Sequence, residues 1–436
     1  MTIAQPDERL DRALGPWSVG ANAVNLSLGA GIFALPAAVA AILGPAAILA
    51  YLVCGVAIAL VLTCFAELGS QTRRSGGAIA YLEDAFGPLA GFLAWVIFSP
   101  GFCLASDAAV ANVLIGAVAT VVPAVGHGVA RAVALVAIFT TLATVNIVGV
   151  RQGARVVIAT TAAKLLPLLL VIGAGALAMH WQELHWTAWP STAKVGEASL
   201  LLFFAYTGAE SAVTPGGEIR DPARTIPRGL LGGTAVLVLL YAAVQVTTQG
   251  VLGAGITQHG DAPLAAAAHQ VLGAAGQSLV VVCTALAGLG LLTGDMLASP
   301  RSFLPVAESG MLPAVLAAVH LRFRTPYVAI AVYAALTCGL AISGAFAPLA
   351  ILASIFLLMV YFAVCLAALK VRITRDRPPG AFRAPGGPLV PLLGAIVVAW
   401  LLSHTTAPEA RGMALVLVAA VVYYAIRRGV LARRRT

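Results

Sequence analysis

Four ionisable side chains stand inside long apolar runs of this 436-residue chain: Asp107, Lys164, Glu210 and Asp295. A charge in hydrocarbon is costly, so such a residue faces a protein interior or a watery cavity, where it pairs or carries a proton. Lys164 follows Arg155 by nine residues. That is about 13 Å along a helix, which puts it near the bilayer midplane and too deep to snorkel out. An ammonium there needs a carboxylate or backbone carbonyls, and one that exchanges partners is a proton switch; a permanently paired structural lysine is the competing reading. Glu210 could carry a proton between a cavity and the cytoplasm, or it could hold N–H groups freed by a helix break. Asp107 and Asp295 could draw a cationic side chain or a diamine by charge pairing in low dielectric. They could instead neutralise Lys164 or Arg301; local pairing is preferred for Asp295, and Asp107 stays open.

The second chemical feature is main chain. Ser27-Leu28-Gly29-Ala30-Gly31-Ile32-Phe33 lies in the middle of the first apolar segment, and a similar interruption, Tyr206-Thr207-Gly208-Ala209-Glu210-Ser211, falls five segments later. Small, flexible residues leave a helix without side-chain support, and backbone groups freed at membrane depth are tolerated where they line a polar cavity. The half-helix ending near Ser27 points carbonyls at the gap, and the half beginning near Gly31 points N–H groups at it. Two such breaks side by side make a site with one pole of each sign, suited to a zwitterion. Its carboxylate is expected on the N–H groups of Gly29, Ala30 and Gly31. Its ammonium is expected on carbonyls near Leu26 and Phe203 to Tyr206, with Thr207 and Gly208 completing the second break. Phe33, Phe204 and Tyr206 could wall the ligand off from water, Phe204 or Tyr206 with a cation contact. Close helix packing through Gly and Ala is the alternative reading of each break.

The elements that must position these groups are membrane helices. With 60% hydrophobic and 10% charged residues, the chain reads as polytopic and all-α, a single transmembrane domain over 1–436. Twelve apolar windows of about 20 residues fall near 17–42, 45–67, 86–119, 129–149, 156–179, 197–217, 229–252, 277–300, 326–344, 347–370, 388–405 and 411–427. With both termini cytoplasmic, just Arg131, Lys194 and Arg411 of the 26 Lys and Arg fall outside and Lys164 within a span, as the positive-inside rule requires. The net charge of +9 then reflects orientation toward a cytoplasmic leaflet, and a nucleic-acid partner is the poorer explanation. An odd offset of five spans between the breaks means that the two helices cross in opposite directions, the mark of an inverted repeat. The expected organisation is a tail over 1–16, five-helix repeats over 17–179 and 197–370, helices 11 and 12 over 388–427, and a tail over 428–436. The N-terminus lacks the basic start and cleavage site of a signal peptide. The six cysteines are scattered singly, and no histidine pair has metal spacing on one helix face. With no Ser-His-Asp arrangement, P-loop or dinucleotide fingerprint, enzyme catalysis and ATP drive are unsupported.

Four motifs together resemble the amino acid, polyamine and organocation (APC) superfamily of secondary transporters, with its LeuT-like fold. Gly29-Ala30-Gly31-Ile32-Phe33 followed by Pro36 looks like its first-helix break, with Ala30 in place of the usual Ser. Glu67-Leu68-Gly69, Ser75-Gly76-Gly77-Ala78, Tyr81 and Phe86-Gly87-Pro88 resemble the pattern after its second helix. Phe204 to Ser211 with Gly217 to Arg228 matches its sixth helix and the following loop, and Arg301 to Pro313 is similar to its segment after the eighth helix. The resemblance implies alternating-access transport of an amino acid across the plasma membrane, the bacterial inner membrane, with helices one, two, six and seven moving against three, four, eight and nine. Lys164 looks like the fifth-helix lysine that occupies the place of a sodium ion in related carriers, which implies proton-coupled symport or sodium-independent exchange. Glu210 matches a family glutamate, and Asp295 falls where some relatives place a pocket aromatic, so it joins the candidate substrate-binding set. The expected partners are a small amino acid or cationic amine, protons and the lipid bilayer. No cofactor, metal or obligatory protein partner is inferred. A polyamine or organocation antiporter, and a membrane amino-acid sensor that moves nothing, remain the alternatives.

Overall fold

The computed structural model describes residues 14–29, 31–71, 76–120, 122–148, 154–214, 218–260, 262–375 and 380–433, with side chains in the fifth stretch from Lys164 onward. Ala30 and Gly217 therefore lie outside the described residues, as do Arg9, Arg12, Arg73, Arg74, Arg151, Arg377, Arg434 and Arg435. Among the described residues the regular structure is helical, apart from a single parallel bridge between Leu14 and Ile219.

Helix α1 (Pro16–Ser27) begins at a proline, whose fixed φ suits a first turn. It ends where Leu28 N–H bonds Val24 and Gly29 N–H folds back onto the Ser27 carbonyl at 2.7 Å. The chain resumes as α2 (Gly31–Leu43) and continues into α3 (Ile48–Gln71). After α4 (Gly77–Phe86), α5 (Pro88–Val96) passes through a π-turn over Ile97–Cys103 into α6 (Leu104–Ala119). Pro100 inside that turn has no N–H to give the ladder, so the register widens without ending the helix. Next come α7 (Gly128–Val148), α8 (Ala154–Ala178) and α9 (Thr192–Leu202), the last capped by the Ser191 hydroxyl. Beyond α9, a 3-10 turn over Phe203–Tyr206 leads to an extended Thr207, to Gly208 at φ 107°, and to a second 3-10 turn over Ala209–Val213. The first and sixth apolar segments are thus both discontinuous.

Helix α10 (Pro222–Leu252) is followed by α11 (Pro263–Ala298), bent at Gly273 with φ 69°. A short α12 (Phe303–Glu308) precedes α13 (Tyr327–Ser343), α14 (Phe346–Thr374), α15 (Leu389–Leu402) and α16 (Ala407–Arg433). Several helical pieces fall outside the expected spans. Helix α4 carries Glu83 and Asp84 in ten residues, too short and polar for an apolar window, the first turns of α11 are set off by the Gly273 bend, and α12 is six residues long.

Among the described residues, seven helical runs are long and apolar enough to cross a bilayer, among them Pro88–Ala119, Pro222–His259 and Phe346–Thr374. They make this an integral membrane protein. Twelve crossings would need the broken segments and the shorter apolar helices to cross as well. The core is formed where α1 packs on α10, α10 on α3, and α11 on α6 and α8. Helix α16 lies at the rim, with 6% of its apolar window buried, as a lipid-facing helix should.

Candidate functional site

The two breaks touch. A Cβ on Gly208 would stand 2.6 Å from the Leu26 carbonyl oxygen, closer than real Cβ atoms come, so the backbone of the second break lies directly on the last turn of α1. That approach and a φ of 107° both demand glycine. The Gly208 N–H, freed from any helix, donates to Glu210 Oε2 at 2.9 Å, and the same oxygen accepts from the Tyr361 hydroxyl of α14 at 2.5 Å. On the opposite side, the Tyr241 hydroxyl of α10 donates to the Ser27 carbonyl at 2.8 Å. The Tyr241 ring packs edge-on against Tyr206, whose own hydroxyl reaches the Tyr51 carbonyl at 3.3 Å. The Thr207 hydroxyl donates to the Phe204 carbonyl at 2.8 Å.

Not every expected backbone group is free in this conformation. The Gly29 N–H is held by Ser27, the Leu26 carbonyl is covered by Gly208, and the Phe204 carbonyl is taken by Thr207. Gly31, as the first residue of α2, has no intrahelical acceptor for its N–H. The Phe204 ring lies where a Gly31 side chain would be, 2.9 Å from that Cβ position, and stacks edge-on with Phe346. Leu291 of α11 covers Gly29 in the same way. Phe33 is buried and lines a small apolar cavity with Ala117, Leu264, Val281 and Thr284. Phe203 is fully buried against Tyr361, so its ring belongs to the core. Ser27, Gly31, Phe204, Tyr206, Thr207 and Gly208 thus lie in or against the two breaks, with Ala30 outside the described residues.

The ionisable groups form a second layer. Lys164 is buried, and its Nζ donates to the Asn25 carbonyl at 3.0 Å and to Asn25 Oδ1 at 3.3 Å, in the last turn of α1. Asp295 stands one turn along α11 from Leu291, close enough to Lys164 for their charges to interact. Its carboxyl lies within hydrogen-bonding reach of Asp107 on α6. Asp107 is fully buried; its Oδ2 accepts from the Tyr333 hydroxyl of α13 at 2.8 Å. Arg301 does not join them. Six residues rotate it about 240° around a helix from Asp295, and the guanidinium ends on the Leu297 carbonyl. Glu210 sits at the break and holds its freed N–H. Four partners escaped the sequence reading: Asn25, Tyr241, Tyr333 and Tyr361. Their only signal is a polar tip in an apolar helix, which shows that a partner is needed without showing which one.

Residues 14–426 match the sequence model of the family described as amino acid permease. The chain is 30% identical to the serine/threonine exchanger SteT of Bacillus subtilis (strain 168) over 383 residues, 85% of each chain. It is 33% identical to an uncharacterised transporter of Mycobacterium tuberculosis (strain ATCC 25618 / H37Rv), covering 99% of this chain and 94% of that one. It is 24% identical to the branched-chain amino acid permease BcaP of Bacillus subtilis (strain 168), covering 97% and 94%.

Proposed function

We propose that this chain, which belongs to the amino acid permease family, moves an amino acid across its membrane by alternating access, as a proton-coupled symporter or a sodium-independent exchanger. The observation that carries the reading is the seating of Gly208 on the Leu26 carbonyl, which joins two helix ends of opposite polarity at one gap. The amino acid takes its carboxylate to Gly31 and to the Gly29 and Ala30 N–H groups once the Ser27 turn opens. Its ammonium replaces Gly208 and Thr207 on the carbonyls of Leu26 and Phe204. Phe33, Phe204 and Tyr206 close over the side chain, since aromatic faces exclude water and lower the local dielectric.

Lys164 is the coupling group. With Nζ on Asn25, it places a positive charge at the carbonyl end of α1, where the helix dipole favours a cation. Loss of its proton removes that tie and frees the half-helix to tilt. The moving body is helices one, two, six and seven of two inverted five-helix repeats, 17–179 and 197–370. Residues 388–427 lie outside the repeat, and both termini are in the cytoplasm of a bacterial cell. Uptake of labelled serine, threonine and branched-chain amino acids into proteoliposomes, with and without a pH gradient, tests this. Uptake of none of them, or equal rates for Lys164→Ala and the parent at every pH, would sink it. A second reading, amine antiport, is favoured by the neighbouring carboxyls of Asp107 and Asp295; it requires that putrescine compete with the amino acids.

A further inference from the structure

We propose that Asp107 and Asp295 form a proton-binding site that acts in series with Lys164 during transport. This deepens the transport reading and rests on it. The first support is placement. Leu291 touches Gly29 at the first break, and one turn further along the two helices stand Asp295 and Asn25, the latter holding Lys164. The carboxyl pair therefore stands about one helical turn from the first break, beside the coupling lysine.

The second support is hydrogen-bond chemistry. A carboxylate has acceptors only, so two carboxyls in hydrogen-bonding contact hold a proton between them. Asp107 Oδ2 is satisfied by Tyr333, while Asp107 Oδ1, fully buried, meets no donor among the described residues, and Asp295 is the carboxyl beside it. A buried acceptor without a donor costs free energy, and a proton on its partner removes that cost.

The third support is charge. The groups that face the pair are Lys164 from α8, Tyr333 from α13, Cys103 from the π-turn before α6 and, at longer range, Glu210 from the second break. Of these, Lys164 is the cation, set against two acids. One proton balances the cluster while the ammonium rests on Asn25. When Lys164 turns from Asn25 to Asp295, its N–H bond breaks and the proton forms an O–H bond with the pair's free carboxylate, which leaves a neutral amine and frees α1 to tilt. One O–H bond of the pair then breaks and its proton passes to water on the open side, so the pair returns to a single shared proton. Lys164 and the pair thus carry the proton in turn.

Asp107→Asn and Asp295→Asn each keep a hydrogen-bonding side chain of the same size and remove the shared proton. In the purified full chain, infrared spectroscopy should show a protonated-carboxyl C=O stretch that both variants lose. In proteoliposomes both should lose the proton influx that accompanies amino-acid uptake in the parent. An unchanged carboxyl band, or proton influx equal to the parent's in either variant, overturns the proposal. So does loss of putrescine competition in Asp295→Asn with proton influx intact, which assigns the pair to ligand recognition. If a variant does not purify as a monodisperse protein, the other variant and the parent's infrared band decide. A parent that moves no amino acid fails the transport reading, whereas the infrared band tests the pair without transport.

Discussion

The hydroxyl of Tyr241 stands 2.8 Å from the carbonyl of Ser27, so a residue of α10 completes the hydrogen bonding of a helix that ends at the first break. Both groups are buried, and the Ser27 carbonyl would otherwise share the Gly29 N–H as its sole described donor. Tyr241→Phe removes the hydroxyl and keeps the ring against Tyr206. The expected cost is one buried hydrogen bond, about 1 kcal/mol, or about a fivefold fall in Vmax/KM of uptake. Flux assays in proteoliposomes check it; an unchanged ratio would mean that the carbonyl needs no fixing.

Gly208 and Gly173 make a matched contrast. Gly208→Ala meets the Leu26 carbonyl at 2.6 Å and must adopt a left-handed φ, which alone costs about 1–2 kcal/mol. The breaks have to part, so uptake should be lost and thermal stability lowered. Gly173, in the interior of α8, has open space around its Cβ position. Gly173→Ala should raise stability by about 0.5–1 kcal/mol through backbone entropy and leave uptake unchanged. Detergent melting curves and flux assays on the pair separate the site from general helix packing.

The breaks were legible because Gly29 to Gly31 and Gly208 are small residues inside apolar runs, a pattern with a physical meaning in lipid that it lacks in water. Which faces then meet was not legible. Asp295 could be paired on paper with Arg301, yet a helical turn followed by the 3-10 turn Ser299–Ser302 swings that arginine away and leaves Asp295 to Asp107 and Lys164. The Gly273 bend and the π-turn around Pro100 escaped the apolar windows for a related reason: hydropathy reports burial, whereas bends are set by single residues. Tyr333 and Tyr361 gave a weak signal, because a tyrosine in a membrane helix is equally at home at a lipid interface.

Lys164 separates two kinds of coupling. Lys164→Arg keeps a cation that does not deprotonate, so it should sustain amino-acid exchange and lose accumulation driven by a pH gradient. Lys164→Met removes the charge from the Asn25 carbonyl and should impair both modes. Replacing sodium with choline should leave the parent's rates unchanged. Counterflow and gradient-driven uptake, measured on the same vesicles, distinguish these outcomes; accumulation by Lys164→Arg equal to the parent's would show that the proton travels elsewhere.

Glu67 of α3 and Arg372 of α14 form a two-pronged ion pair, Nε to Oε1 at 2.6 Å with Nη2 on Oε2, at 5% and 2% side-chain exposure for Arg372 and Glu67. Glu67 Oε2 also accepts the Ala384 N–H at 3.0 Å, which anchors the segment before α15. Removing one partner leaves a charge buried without compensation, a cost of about 3–5 kcal/mol, whereas replacing both with apolar residues of similar size is often neutral. Arg372→Met should therefore lower the melting temperature more than Arg372→Met combined with Glu67→Leu. The exposed pair of Arg224 and Asp221, at 3.9 Å, serves as the control: Arg224→Ala should leave the melting temperature where it was. If the double variant is no more stable than the single one, the pair contributes through the Ala384 N–H and the shape of the segment before α15 rather than through its charge balance.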